Sequence, residues 1–258
     1  MQYDFFELLT FFFIYGFIGW ICEVAFAALV EGKFVNRGFL LGPICPIYGI
    51  GVVAVLLLLE PIKSNWFLVF VLSTLITSAV EYLIGFLTEK LLGERLWDYS
   101  DMPFNIKGYV CLAFSVMWGI GCMGVIYAVH PAIRALVERM PQVLSTILLT
   151  VFSVMIITDT LLTGFHALKL DGRMKKITEV SHMLESISNS IGKNVSGSTL
   201  YLKNKAESSE ALKEKYQSLV EKKNIIHDHL FNAFDRLKKG KYKEAYEILS
   251  RSRKKNSK

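Results

Sequence analysis

Charge is scarce in the first 170 residues of this 258-residue sequence, where nine Lys/Arg and twelve Asp/Glu leave a net −3. Uncharged apolar runs fill the space between them, and 52% of the whole chain is hydrophobic. That is too apolar for an ordinary soluble protein of this length. Cysteine is equally sparse: Cys22, Cys45, Cys111 and Cys122 are the only four, none forms a C-x-x-C, and no histidine lies beside them. The usual zinc-ligand spacings are therefore absent, and the four read as small apolar thiols packed between helices. The sequence also has no G-x-x-x-x-G-K-[ST] phosphate loop, no H-E-x-x-H and no evident nucleophile–base pair. The protein is thus expected not to be an enzyme, to hold no cofactor or metal, and to leave any ATP hydrolysis to a separate subunit. No nucleic acid partner is expected.

Apolar length is abundant. A helix needs roughly 20 predominantly apolar residues to cross a hydrocarbon core, and five stretches qualify, at about 4–31, 40–60, 66–92, 108–130 and 143–170. The acidic start MQYDFFE precedes no short apolar core with a small-residue cleavage site, so the first stretch is expected to be a span rather than a cleaved signal. The predicted fold is all-α: a polytopic membrane bundle of about five helices over 1–170, in a lipid bilayer, with a C-terminal helical tail over 171–258. The tail carries twenty Lys/Arg against eleven Asp/Glu, or +9. Basic segments stay on the cytoplasmic side, and an odd number of spans then puts the N-terminus outside. Loops 32–38 and 93–107 become cytoplasmic, with Lys33, Arg37, Lys90, Arg95 and Lys107 inside and Lys63, Arg134 and Arg139 outside.

The first two spans and the next two look like a faint parallel duplication. Glu23, a polar loop and Gly42-Pro43-Ile44-Cys45 are matched by Glu81, a longer loop and Gly108-Tyr109-Val110-Cys111. Beyond Leu170 the pattern changes. Ile177, Val180, Leu184, Ile187 and Ile191 form a heptad-like, coiled-coil-like stripe, which GKNVSGS (192–198) interrupts. A second stripe runs from Leu212 through Tyr216, Leu219, Ile226 and Leu230 to Leu237, and KGKYKEAYEIL begins a third, short helix. Such a tail could pack on itself, dimerise or meet a protein partner, and its basic end could touch anionic lipid.

The segment GFLLGPICPIYG (38–49) sits where span two should begin. Proline fits a helix best in its first turn. A helix starting near Pro46 has about 15 residues and roughly 22 Å of rise, short of a core roughly 30 Å thick. Residues 39–45 should then lie at membrane depth without regular helical bonds, which requires burial in protein or a polar cavity. Gly42, Pro43, Pro46 and Gly49 are the expected helix-break residues; an ordinary loop above a short helix is the alternative. Glu23, Glu81 and Asp159 lie within spans, where a carboxylate is expensive and usually functional. Each has small or polar neighbours a turn or two away: Gly16 and Gly19 for Glu23, Thr77 and Gly85 for Glu81, Thr163 and His166 for Asp159. Arg37, after Asn36, is the natural counter-charge, expected within reach of Glu23, Glu81 or Asp98. The loop WDYSDMPFNIKG (97–108) adds Asp98 and Asn105 as polar-pocket candidates. A purely structural ion-pair cluster is the rival reading.

The set GWICE (19–23), NRGFLLGPICPIYG (36–49), EYLIG (81–85), WDYS (97–100), PFN (103–105), G-x-x-CL (108–112) and WG (118–119) resembles the bacterial integral-membrane family called putative ABC-transporter type IV, or CmpB-like. The resemblance covers about residues 5–165. It implies a permease-like protein of the bacterial plasma membrane. The missing phosphate loop makes any ATPase a separate subunit, and five spans are few enough for a transporter that a homodimer or further partners are expected. The alternative is a membrane-anchored sensor or scaffold whose basic tail binds a cytoplasmic partner.

Overall fold

In the computed structural model, which describes residues 3–193 and 199–256, helix α1 (Phe5–Glu31) opens with a reciprocal cap. The Asp4 carboxylate accepts from the Glu7 amide, the Glu7 carboxylate accepts from the Asp4 amide, and the helix ends at Gly32 in the left-handed conformation. Helix α2 (Pro46–Leu59) starts with proline in its first turn and tightens into a 3₁₀ turn at Glu60–Ile62. Asn65 caps α3 (Trp66–Leu92), which stops at left-handed Gly93. A small antiparallel pair follows, β1 (Asn105–Ile106) against β2 (Val110–Cys111), turned through Lys107 and Gly108 at positive φ. Helix α4 (Leu112–Gly124) continues through a π-helical stretch, Val125–Val129, into α5 (His130–Glu138). Helix α6 (Gln142–Lys193) is 52 residues long.

Four of these rods are long and apolar enough to cross a membrane: Phe5–Glu31, Trp66–Leu92, Leu112–Glu138 and the first part of α6. Pro46–Ile62 is apolar but shorter. Large apolar side chains such as Phe17, Leu75, Ile147, Met155 and Leu161 face outward from them, as expected of a surface solvated by lipid rather than water. Two boundaries differ from the sequence reading. The fourth rod runs over Leu112–Glu138 rather than 108–130, because β2 occupies its expected first residues. Helix α6 does not stop at 170: Leu170, Met174, Ile177 and Val180 keep one buried face going, and Gly172 alone is too weak a breaker to end it. The boundary drawn between 170 and 171 thus falls inside a continuous helix.

Beyond α6, residues 194–198 of the predicted GKNVSGS interruption lie outside the described residues. Helices α7 (Thr199–Glu221), α8 (Ile225–Ala233), α9 (Asp235–Lys239) and α10 (Lys243–Asn256) follow. The stripe expected over 212–237 is thus divided among three helices, with Asn224 capping α8 and extended Phe234 separating α8 from α9. One core lies between α1, α2, α3 and the α4–α5 rod and holds Phe11, Tyr15, Val55, Leu56, Val69 and Ile126. A second joins Leu92 and Leu96 to Leu170, Met174 and Ile177 of α6 and to Leu230, Phe231, Leu237 and Tyr242.

The second core gathers the tail and both irregular returns at one end of the bundle. His229 Nε2 meets the Gly38 carbonyl at 3.0 Å, the Lys241 amide donates to Glu94 at 2.7 Å, and the Tyr242 hydroxyl donates to the Leu92 carbonyl. The short turns lie at the opposite end, where the Tyr127 hydroxyl donates to the Lys63 carbonyl at 2.6 Å.

Candidate functional site: a cavity between two helical hairpins

The stretch that precedes α2 does not stay above the bundle. The Cys45 amide donates to the Gly16 carbonyl at 2.9 Å, and Gly16 lies 15 residues, or roughly 22 Å of helix rise, before the end of α1. Residues 38–45 therefore descend beside α1 without helical bonds. Their polar backbone is answered by named partners. The Asn36 side chain accepts from Trp20 Nε1 (2.8 Å) and the Gly38 amide (3.1 Å) and donates to the Leu41 carbonyl (2.9 Å). Asp159 of α6 accepts from the Leu41 amide at 3.2 Å and the Gly42 amide at 2.7 Å, with a third bond from Thr163 Oγ1 at 2.8 Å. Gly42 permits that approach, since a Cβ there would lie 3.3 Å from Asp159 Oδ2. Pro43 and Pro46 sit in and just after the break. Gly49 does not: it is inside α2, where a Cβ would come 2.5 Å from the Phe12 carbonyl oxygen. Its role is close helix packing, a correction to its reading as a helix-break residue.

The second hairpin repeats the plan. Ser78 Oγ of α3 donates to Ser115 Oγ of α4 at 2.7 Å, and Ser78 lies 14 residues, roughly 21 Å, before the end of α3. Helix α4 thus also begins partway up its partner. The return is locked by its own side chains. Asn105 donates to the Ser100 and Met102 carbonyls and accepts from the Gly108 amide; Trp97 Nε1 donates to the Tyr109 carbonyl at 2.9 Å. Asp98 accepts from Ser100 and meets Arg95 at 3.2 Å and Arg236 of α9. Partial burial opposes ionisation of Asp98, but the Ser100 bonds and the two guanidinium groups outweigh it and hold its carboxyl below the usual range.

Between the hairpins lies a cavity of about 550 Å³. Of the seven polar candidates, Glu23, Arg37 and Glu81 line it; Asn36, Asp98, Asn105 and Asp159 instead hold the returns in place. Glu23 accepts from the Tyr48 hydroxyl at 2.6 Å and faces Arg37 Nε at 3.7 Å, with both ion-pair side chains about 30% exposed. Arg37 also reaches Glu31 at 3.8 Å, a partner the sequence reading did not name, and it pairs with neither Glu81 nor Asp98. Glu81, 7% exposed, accepts from the Tyr99 hydroxyl at 3.2 Å, and its second oxygen has no hydrogen-bond partner. The Trp118 indole approaches this carboxylate without a bond of good geometry. Phe234 of the tail contributes to the same cavity wall.

The family described as "Putative ABC-transporter type IV" matches residues 10–164. The chain belongs to this family. No curated protein and no solved structure matches it significantly. Nearly the whole cavity wall lies inside the segment shared with the CmpB family; Phe234 lies beyond it.

Sequence reasoning missed a second buried polar cluster, at the end away from the tail. His130 is hydrogen-bonded to two tyrosine hydroxyls, Tyr3 at its Nε2 (2.8 Å) and Tyr15 at its Nδ1 (3.0 Å), one ring nitrogen donating and the other accepting in the neutral ring, and Glu60 lies 3.5 Å from the ring. Arg134 meets the same carboxylate at 3.6 Å. These residues come from three separate segments, the first helix with its lead-in, the Glu60 turn and α5, so only His130 and Arg134 are linked by a local spacing; the other signal was a glutamate beside Pro61 at a span end. Tyr48 and Trp118, both within motifs quoted above, were also overlooked as cavity residues.

Proposed function

We propose that this protein is the membrane subunit of a transport system in the bacterial plasma membrane, and that solute is held in or passes through the cavity between the hairpins. The observation that carries this reading is the cavity between the two hairpins, a largely apolar wall with Glu23, Arg37 and Glu81 set in it, within the family's shared segment. Glu23, Arg37 and Glu81 are the polar groups of the route. The polypeptide crosses the bilayer five times, with α2 completing its short crossing through residues 38–45. The N-terminus is outside, and loops 32–38 and 93–107 and the tail are inside. The protein performs no chemistry of its own; energy comes from a separate ATPase. Five spans are few for a complete translocation path, so a homodimer or further subunits belong to the working assembly.

A sensor or scaffold is the second reading. It is favoured by the docking of α8–α10 on both returns through His229, Arg236 and Lys241, which makes the tail a candidate receiver for a cytoplasmic regulator. Affinity purification of the full-length protein from native membranes separates the two. A P-loop ATPase in stoichiometric yield supports the transport reading. Its absence, with a regulator retained through residues 171–258, overturns it. Cysteine labelling at position 101, with the four native cysteines replaced, tests the orientation; labelling only from outside reverses the scheme.

A further inference from the structure

Charge is unequally distributed around the cavity. At the first hairpin, Glu23 and Glu31 share Arg37, at 3.7 and 3.8 Å, so that cation is already answered and offers little to an anionic solute. At the second, Arg95 turns away to Glu89 (2.8 Å) and Asp98 (3.2 Å). Glu81 is left with the Tyr99 phenol, the nearby Trp118 indole, one oxygen without a hydrogen bond and, among the described residues, no cation at all. It is more than nine-tenths buried and lines the cavity. Glu81 is thus the one acid in the wall that no cation answers among the described residues, and a bound cation would supply the counter-charge that its carboxylate lacks.

The surroundings of that carboxylate are aromatic. Tyr99, Trp97 and Trp118 line the cavity beside Glu81, Tyr99 stacks on Phe114 at 4.8 Å, and Trp118 meets Tyr48 edge-on at 5.4 Å. Ring faces attract cations, most strongly where water is excluded. A metal ion would need several hard ligands, and no group of three His, Cys, Asp or Glu side chains converges among the described residues. A volume of about 550 Å³ also far exceeds a bare ion and falls within the size of small-molecule sites.

We propose that the cavity binds an organic monocation, an alkyl- or arylammonium, with its charged nitrogen against Glu81 and its apolar groups against Trp97, Trp118 and Tyr99. The proposal names the solute class for the transport reading and rests on the cavity being a solute site.

The test uses the full-length protein in detergent and follows tryptophan fluorescence on titration with benzyltrimethylammonium, its uncharged carbon isostere neopentylbenzene, and benzenesulfonate. The ammonium should bind saturably and at least tenfold more tightly than the isostere, with no saturable binding of the sulfonate. Glu81→Gln should reduce ammonium affinity at least tenfold, to the level of the isostere. Glu138→Gln, at the far end of the bundle, should leave it unchanged. Equal binding of ammonium and isostere would reveal an apolar cavity suited to lipid tails and overturn the proposal. Unchanged ammonium affinity in Glu81→Gln, or no saturable ammonium binding, would overturn it too. Should Glu81→Gln not fold, the ammonium–isostere ratio of the unaltered protein decides. Ammonium binding without a co-purifying ATPase refutes transport alone; an ATPase without ammonium binding refutes this inference alone.

Discussion

The α1–α2 and α3–α4 hairpins share a plan: a 27-residue helix closed by a left-handed glycine, an irregular return, and a second helix that starts partway up the first. Each sets a carboxylate against a tyrosine hydroxyl, Glu23 with Tyr48 and Glu81 with Tyr99. They part company over the arginine. Arg37, in the shorter return, points inward to Glu23, whereas Arg95, in the longer one, is engaged at the rim by Glu89 and Asp98. A repeated backbone can thus carry two electrostatically different sites, and the difference lies in the returns rather than in the helices.

The largest expected effect tests the shared packing. Gly49→Val would drive a side chain into the Phe12 backbone, where even a Cβ would lie 2.5 Å from the carbonyl oxygen. Overpacking costs about 1–3 kcal/mol and more against backbone, so loss of monodisperse protein on gel filtration is expected. In the second hairpin, Gly119 abuts the side chain of Thr74, which can rotate, so Gly119→Ala should be milder than Gly49→Ala. Equal severity would mean that the hairpins are packed more alike than their neighbours suggest.

The two acids should then respond with opposite signs. Glu23→Gln weakens a half-exposed pair and should lower stability by about 1 kcal/mol. Glu81→Gln removes a buried carboxyl that has no cation partner among the described residues and should be neutral or stabilising by up to about 1–2 kcal/mol. Thermal unfolding in nanodiscs at pH 7, without added solute, measures both; destabilisation by both substitutions would erase the distinction. Arg37→Ala should exceed Lys33→Ala, because Lys33 makes only an exposed contact with Glu31.

Acid should loosen α8 from α6 and, with it, the tail that rests on the returns. Burial, reinforced by Arg173 against Nδ1 at 3.1 Å, pushes the His227 imidazole below its ordinary value. The folded state thus favours the neutral ring, which donates from Nε2 to the His166 carbonyl. Docking is strongest above the unfolded value of about 6.5 and weakens as pH falls through it. Asp98 stays ionised throughout that window. Spin labels at positions 101 and 239 should show a broader distance distribution at pH 5.5 than at pH 7.5, and His227→Gln should flatten the difference. The smallest effect belongs to Gly172, in open space on α6: Gly172→Ala should stabilise by about 0.5–1 kcal/mol, the reverse of Gly49.

The helical class and the break before α2 were legible because they follow from local quantities: apolar length, proline chemistry and rise per residue. Asp159 and Glu23 stood out for the same reason, as charges inside apolar runs. What each charge touches was not legible. Asp159 finds backbone amides 117 and 118 residues away, and Asp98 finds Arg236 on the tail, pairings that leave no periodic trace. Gly49 was misread because a glycine for close approach and a glycine for a turn look identical until the neighbouring helix is placed. The extension of α6 past Leu170 was hidden by a change of composition without a change of backbone.

That extension makes α6 a shaft. Its 52 residues span about 78 Å, and the part beyond Leu170 projects roughly 35 Å past the expected membrane edge. Asp159 grips the first return, and the half beyond Leu170 packs against the tail helices, which bring Phe234 to the cavity wall. A tilt of about 10° within the bilayer sweeps the far end through about 6 Å for that lever arm. A movement of α6 at Asp159 would thus be felt by the helices packed on its far end, because both are carried on one unbroken helix.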